Sequence, residues 1–315
     1  MERWERAANI ASVGAVALLL ALLAARALAL PVPFVGGTKQ LRIELPEATA
    51  YDLPPIAGEG NPGQPLVMID AGHGGFDYGA RAAGFDEKTI VLGLAVALRD
   101  RLVADGGVRV AMTRDDDSFV ALSERAEAAR RLGANLFLSI HADSAGLDNS
   151  RAGEIAGASI YTLSERASNA AARRFAAREN AAGRVNGQVL DGHSAAVSAI
   201  LVDLSQRRTQ TRSERLAELI EREGRGRLVF HPDARRAAAL EVLRAPDVPS
   251  VLFESGYITN PQDAARLSSE RGKSEFAAVM ARAIRLYFAR ERIEAERRGE
   301  APSRATAIAS SGAAP

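Results

Sequence analysis

The amino-acid sequence predicts an α/β fold: a three-layer, twisted, mainly parallel sheet flanked by helices, with a helical insertion near the active site. Two patterns predict it. Short apolar runs alternate with segments of helical spacing between about residues 66 and 292, as repeated βαβ units require. One connection, from about 179 to 230, is far longer than the roughly 2 to 6 residues usual between elements of such domains.

In chain order, Leu66–Asp70 (LVMID) is the first buried-strand candidate and ends at AGHGG. The stretch 89–103 follows with helical spacing, and Leu92, Val96, Leu98 and Leu102 fall on or near one face of it. Val108–Met112 (VRVAM), a helix over 121–132 and Asn135–Ile140 (NLFLSI) continue the alternation. Ala158–Thr162 (ASIYT) and a helix over 164–178 lead into the long connection, whose run AVSAILVDLSQRRTQTRSERLAELIERE is apolar and helical. Ser250–Phe253 (SVLF) is the last strand, before helices over 262–268 and 274–292. In sheets of this kind ligands bind beyond the carboxyl ends of the strands.

The flanks read differently. Residues 7–25 are a long uncharged run preceded by Arg3 and Arg6 and followed by Ala27-Leu28-Ala29. This predicts a signal peptide over 1–29, with an uncleaved membrane anchor as the rival, since the run approaches the roughly 20 residues that span a bilayer. Either reading exports the remainder. Residues 30–65, rich in Pro, Gly and Glu, read as a linker with one strand candidate at Leu41–Leu45 (LRIEL). Residues 293–315 are small, polar and aperiodic, and read as a disordered tail.

Composition excludes several classes of function. The chain has 315 residues, 47% hydrophobic, with 40 Lys and Arg against 39 Asp and Glu. That balance gives no general attraction to nucleic acid or to an anionic membrane, so no nucleic-acid partner is expected, and membrane contact only through the N-terminal segment. There is no Cys, which removes disulfides, thiol nucleophiles and thiolate metal sites. A metal site must then be built from carboxylates and the four histidines.

Two of those histidines stand at strand ends. His73 follows the first strand in DAGHGG, His141 ends another in SIHAD, and Glu254 ends the last in VLFESGY. Glu87, just ahead of the first helix in GFDEKTI, can be carried to His73 by a loop returning over the same sheet edge. Two imidazoles and a carboxylate with an open fourth position suit hydrolytic Zn²⁺, with Glu254 free to take a proton from water. The competing reading is a tight glycine turn at 72, 74 and 75 with ordinary strand-end histidines, because 73, 87 and 141 form no compact motif.

The chain resembles the zinc-dependent N-acetylmuramoyl-L-alanine amidases, the peptidoglycan hydrolases that include the cell-division amidases. The resemblance is carried, in order, by VMIDAGHGGFDYGA, GFDEKTIVLGLAVALRDRL, VAMTRDDDSFVALSERAEAARRLGANLFLSIHADS and LRAPDVPSVLFESGYITNPQDAARL. It implies that His73, Glu87 and His141 are zinc ligands and Glu254 the catalytic glutamate. It also implies cleavage between N-acetylmuramic acid and the L-alanine of the stem peptide, in the periplasm. Within the resemblance, the insert is an inhibitory helix and Glu179, from the stretch ENAA, occupies the metal's vacant position until a LytM-domain activator moves it, docking near Ile200, Leu201 and Leu204. A non-catalytic wall-binding protein and a zinc peptidase cutting within the stem peptide are the alternative functions.

The remaining polar residues carry weaker signals. Asp70 and Asp143 flank the histidines and could hold an imidazole through its second nitrogen, though Asp143 reads rather as a loop cap. Arg114 and Arg125 lie in TRDDDSFVALSER; Arg125 reads as a structural ion pair ahead of a substrate contact. His193 and His231 read as exposed loop residues.

Overall fold

The structure is a computed structural model that describes residues 52–58, 61–82, 84–145, 152–181, 184–185, 188–189 and 199–299; of residue 152 and of 184–207 only the backbone is described. The expected leader, LRIEL, His193, the side chains of Ile200, Leu201 and Leu204, and the tail beyond 299 lie outside the described residues.

Seven strands form the main sheet: β1 (Ile56–Ala57), β2 (Leu66–Ala71), β3 (Arg109–Met112), β4 (Leu136–Asp143), β5 (Ala158–Leu163), β6 (Phe230–Ala238) and β7 (Ser250–Tyr257). Their order across the sheet is β1-β3-β2-β4-β7-β5-β6. Strands β3, β2, β4 and β7 run parallel to one another, while β5 is antiparallel to β7 and β1 to β3. Every residue of β2, β4 and β7 is buried, which is why these strands read as continuous apolar runs rather than alternating ones.

Among the described residues six α-helices cover the sheet: α1 (Glu87–Asp105), α2 (Leu122–Arg131), α3 (Ala170–Glu179), α4 (Ala199–Gly224), α5 (Pro261–Ser268) and α6 (Glu270–Arg297). Polar side chains set several of their starts: Asn169 accepts from Ala172 N, Asn260 from Gln262 N and Asp263 N, and Ser269 from Gly272 N. One core cluster joins α1, α4 and α6 to one face through Leu94, Leu98, Leu216, Ile220, Phe276 and Met280. The other joins α2 and α3 to the opposite face through Met68, Ala129, Phe137, Tyr161 and Phe175. These are the three layers expected.

The structure departs from the sequence reading at four places. The segment read as linker supplies the edge strand β1. Helix α6 continues through Arg297, past the point where the sequence reading begins the tail. The second half of α4 does more than insert near the site: Leu216, Ala217, Leu219 and Ile220 are buried in the core, so much of the long connection is an integral helix of one layer. Finally, β6 occupies the sheet edge where the connection ends, and it places His231 in a strand rather than a loop, with Nδ1 accepting from Arg236 and from Asp233 N.

Candidate active site

Strands β2, β4 and β7 point their carboxyl ends to the same edge, and that edge carries His73, His141 and Glu254. Glu254 and His141 are register partners, and Glu87 is the first residue of α1. Backbone N–H groups of Ala80 and Ala142 hold the Glu87 oxygens at 2.8 and 2.9 Å. The carboxylate lies between the two imidazoles, with Oε2 3.1 Å from His73 Nε2 and Oε1 3.2 Å from His141 Nδ1.

Glu179, the last residue of α3, reaches the same point. Its Oε2 is 3.6 Å from His73 Nε2 and 3.4 Å from His141 Nδ1. One donor atom each from His73, His141 and Glu179 lie within 4.8 Å of one another, and all three residues are buried. The approach is indirect. Because β5 is antiparallel, it starts beside the site, where Ser159 pairs with Glu254, and runs away from it; α3 then returns and delivers Glu179 with its final residue.

Two backbone features make the approach of the rings possible. A Cβ on Gly72 would lie 2.5 Å from the His141 ring, so any side chain there would expel the imidazole. His73 itself has φ 60, a left-handed conformation that costs a non-glycine residue on the order of 1 kcal/mol or more. It is held there from both sides: Arg125 Nη2 donates to His73 O at 2.7 Å and Gly72 N donates to Ile140 O at 3.1 Å.

The second nitrogen of His73 is held by a residue that the sequence reading did not single out. Asp77 Oδ2 lies 2.8 Å from His73 Nδ1, leaving Nε2 to face the cluster. Asp70, proposed for that role, does something else. It is fully buried and accepts from Arg125 Nη1 at 2.7 Å, Thr113 Oγ1 at 2.6 Å and Ser139 Oγ at 2.6 Å. Arg125 is 2% exposed and bonds the carbonyls of Val120, Ala71 and His73. The Asp70–Arg125 pair is therefore a buried strut beneath the His73 backbone, the structural ion pair that the sequence reading put first for Arg125. Arg114 braces the same loop through Ala71 O and Gly72 O. Asp143, read as a loop cap, accepts from Ser144 N and pairs with Arg178.

The electrostatics separate the carboxylates. Burial tends to raise Glu87, but the two imidazoles outweigh it and hold the group well below the ordinary carboxylate value. Glu254 is driven the other way, well above it, by burial first and then by Asp143, Glu87 and Glu179. Both Glu254 oxygens are buried without a hydrogen-bond partner, and His73 Nε2 likewise makes no well-angled hydrogen bond. Buried polar atoms are normally satisfied. The donor atoms that do converge, two imidazole nitrogens and a carboxylate oxygen from His73, His141 and Glu179, are the kind that borderline cations such as Zn²⁺ take, so the residues present fit such an ion.

An α/β sheet with this cluster at its carboxyl edge, and an unpaired buried carboxylate beside it, defines a hydrolase with a site able to hold a metal. The chain belongs to the N-acetylmuramoyl-L-alanine amidase family, whose sequence pattern matches residues 67–285. It is 38% identical over 225 residues to the N-acetylmuramoyl-L-alanine amidase AmiA of Salmonella typhimurium strain LT2, covering 71% of this chain and 76% of that one. To AmiA of Escherichia coli K12 it is 37% identical over 228 residues, covering 72% and 77%. The solved structure of the amidase AmiC2 of Nostoc punctiforme matches with a TM-score of 0.51 at 28% identity, over 74% of this chain and 99% of that chain. The protein is accordingly a peptidoglycan amidase, hydrolysing the bond between N-acetylmuramic acid and the L-alanine of the stem peptide.

Proposed function

We propose that the amidase is a zinc enzyme in which His73, Glu87 and His141 hold the ion and Glu254 is the general base. The observation that carries this reading is the buried Glu87 carboxylate lying 3.1 Å from His73 Nε2 and 3.2 Å from His141 Nδ1, with Glu254, the register partner of His141, leaving both its oxygens without a hydrogen bond. Bound Zn²⁺ supplies Lewis-acid polarisation of the scissile carbonyl and acidification of the attacking water. The chain's own residues do the rest. Asp77 fixes the His73 ring so that Nε2 faces the site, and Glu87 spans the two imidazoles. Glu254 takes the proton of the attacking water on its carboxylate and returns it to the departing amine of L-alanine, with which the C–N bond breaks.

Glu179 gives the site a resting state. Its carboxylate lies 3.6 Å from His73 Nε2 and 3.4 Å from His141 Nδ1, against the same nitrogens that would hold the ion, and so would compete there with substrate and water. An activator that draws the end of α3 away relieves this; a LytM-domain protein is the partner class that the family resemblance implies. Export to the periplasm is supported by Arg3, Arg6, the uncharged run 7–25 and Ala27-Leu28-Ala29. Among the described residues no helix is long and apolar enough to cross a membrane.

The test is metal content together with product identity. Purified wild-type protein should carry about one zinc per chain, and His73→Ala and His141→Ala should each lose it. Digested peptidoglycan analysed by mass spectrometry should release peptides beginning at L-alanine. Full zinc content in both histidine variants would overturn the ligand assignment.

A further inference from the structure

The loop after His73 carries two large apolar residues that the site chemistry does not use. Phe76 is 60% exposed and Tyr78 41%. Such exposure is unremarkable for a lone residue on a floppy loop, but neither condition holds here. The Phe76 ring lies against Phe119 with centroids 4.3 Å apart and planes 30° from parallel. Phe119 in turn lines the cavity that contains His73, His141 and Glu179. Phe119 thus joins the exposed Phe76 ring to the wall of the cavity.

The loop is also pinned. Gly75 N donates to Asp117 O at 2.9 Å, and Lys88 Nζ ties Gly75 O to Asp117 Oδ2, both at 2.7 Å. A Cβ on Gly75 would lie 3.0 Å from Phe119 Cβ, and its φ is +58, so glycine is what lets the loop seat so closely. Tyr78 is engaged by cations, with Lys88 Nζ 4.1 Å and Arg81 Cζ 4.5 Å from its ring centre. That leaves Phe76 as a flat apolar face, backed by Phe119 and presented to solvent at a fixed height.

We infer that Phe76, backed by Phe119, is a stacking subsite for an N-acetylated pyranose ring of the glycan strand. The inference rests on the amidase reading, which puts a sugar on the acyl side of the scissile bond and an alanine on the amine side. A pyranose with equatorial substituents presents axial C–H groups to an aromatic face, matching their slight positive charge to the negative face of the ring. The methyl of alanine offers too little area to use such a face. Rigid aromatic anchors bind with little entropy loss, which is why a pinned loop is significant.

The experiment is equilibrium titration by calorimetry of the full-length protein with two probes: peptide-free glycan strands of alternating N-acetylglucosamine and N-acetylmuramic acid, and a free stem peptide beginning at L-alanine. Phe76→Ala should weaken glycan binding about tenfold while Phe76→Trp retains it within about threefold, and stem-peptide affinity should be the same in all. Val229→Ala, at a position 54% exposed elsewhere, serves as control and should change neither. Undetectable glycan binding by the wild type, glycan affinity unchanged in Phe76→Ala, or peptide affinity falling in step with it would each overturn the inference. No turnover is needed, so these results stand apart from zinc content and from the products of digestion, on which the metal reading is judged.

Discussion

Glu254 and His141 are register partners on adjacent parallel strands. Side chains in register leave a sheet on the same face, one interstrand spacing of about 4.8 Å apart. The base and a candidate ligand are therefore placed by the hydrogen bonds of the sheet itself, not by a loop that could drift.

Glu254→Gln tests that placement. The amide keeps the shape but cannot accept the proton of the attacking water, so hydrolysis should fall by about 10²-fold or more. Zinc content should be unchanged, and stability should not fall, because a buried carboxylate without hydrogen bonds is replaced by a neutral group. Mass spectrometry of released stem peptides and a thermal melt supply the readings; hydrolysis at the wild-type rate would remove Glu254 from the mechanism.

Glu179→Ala should act in the opposite sense. If the carboxylate closes the site at rest, basal hydrolysis of purified peptidoglycan should rise about tenfold, the gain from removing a preference of about 1.4 kcal/mol. Equal basal rates for variant and wild type would dismiss the resting-state proposal while leaving the ligands untouched.

Asp77→Asn addresses the orientation of His73. Losing the carboxylate that holds Nδ1 at 2.8 Å should weaken zinc binding by about 10- to 100-fold with little change in fold. Competition against a chelator of known affinity measures it, and an unaltered affinity would show that the backbone alone fixes the ring.

Asp70→Asn should strike stability instead. Burial alone would raise Asp70, but Arg125, Ser139 and Thr113 outweigh it and hold the carboxylate below its ordinary 3.8. A group depressed in the folded state contributes stability that is present above its unfolded value and is lost as pH falls through its folded one. At pH 7 the variant strands Arg125 without a counter-charge, at a cost of about 3 to 5 kcal/mol. In urea titrations of metal-free protein the deficit should be full at neutral pH and shrink below pH 3.8; a deficit independent of pH would show that hydrogen bonding, not charge, is what the strut supplies.

These residues also mark where the sequence was informative. Five strands of the sheet were legible because burial on both faces leaves unbroken apolar runs such as LVMID and NLFLSI. Strand β6 was not, since FHPDARRAA lies at the edge, where one side of the ladder faces solvent and charge is tolerated. His73, His141 and Glu254 could be found because each stands at a strand end. The role of Asp77 had a faint signal, a carboxylate four residues after a histidine in a glycine turn. Asp70 was misassigned because sequence adjacency to His73 says nothing of the direction in which a strand residue points, and the partner it found, Arg125, is 55 residues away.

The reversed strand β5 separates the source of Glu179 from the source of the proposed ligands. Everything proposed to hold the metal and perform the chemistry hangs from the parallel block β3-β2-β4-β7 and from α1. Glu179 comes instead from α3, fed by the β5-β6 margin that joins the block at a single antiparallel seam. The proposed brake and the proposed ligands thus reach one point from two different parts of the sheet, although both share its hydrophobic cores. A shift of the last turn of α3 would have to break the Arg178–Asp143 ion pair but need not break a ladder hydrogen bond among β3, β2, β4 and β7.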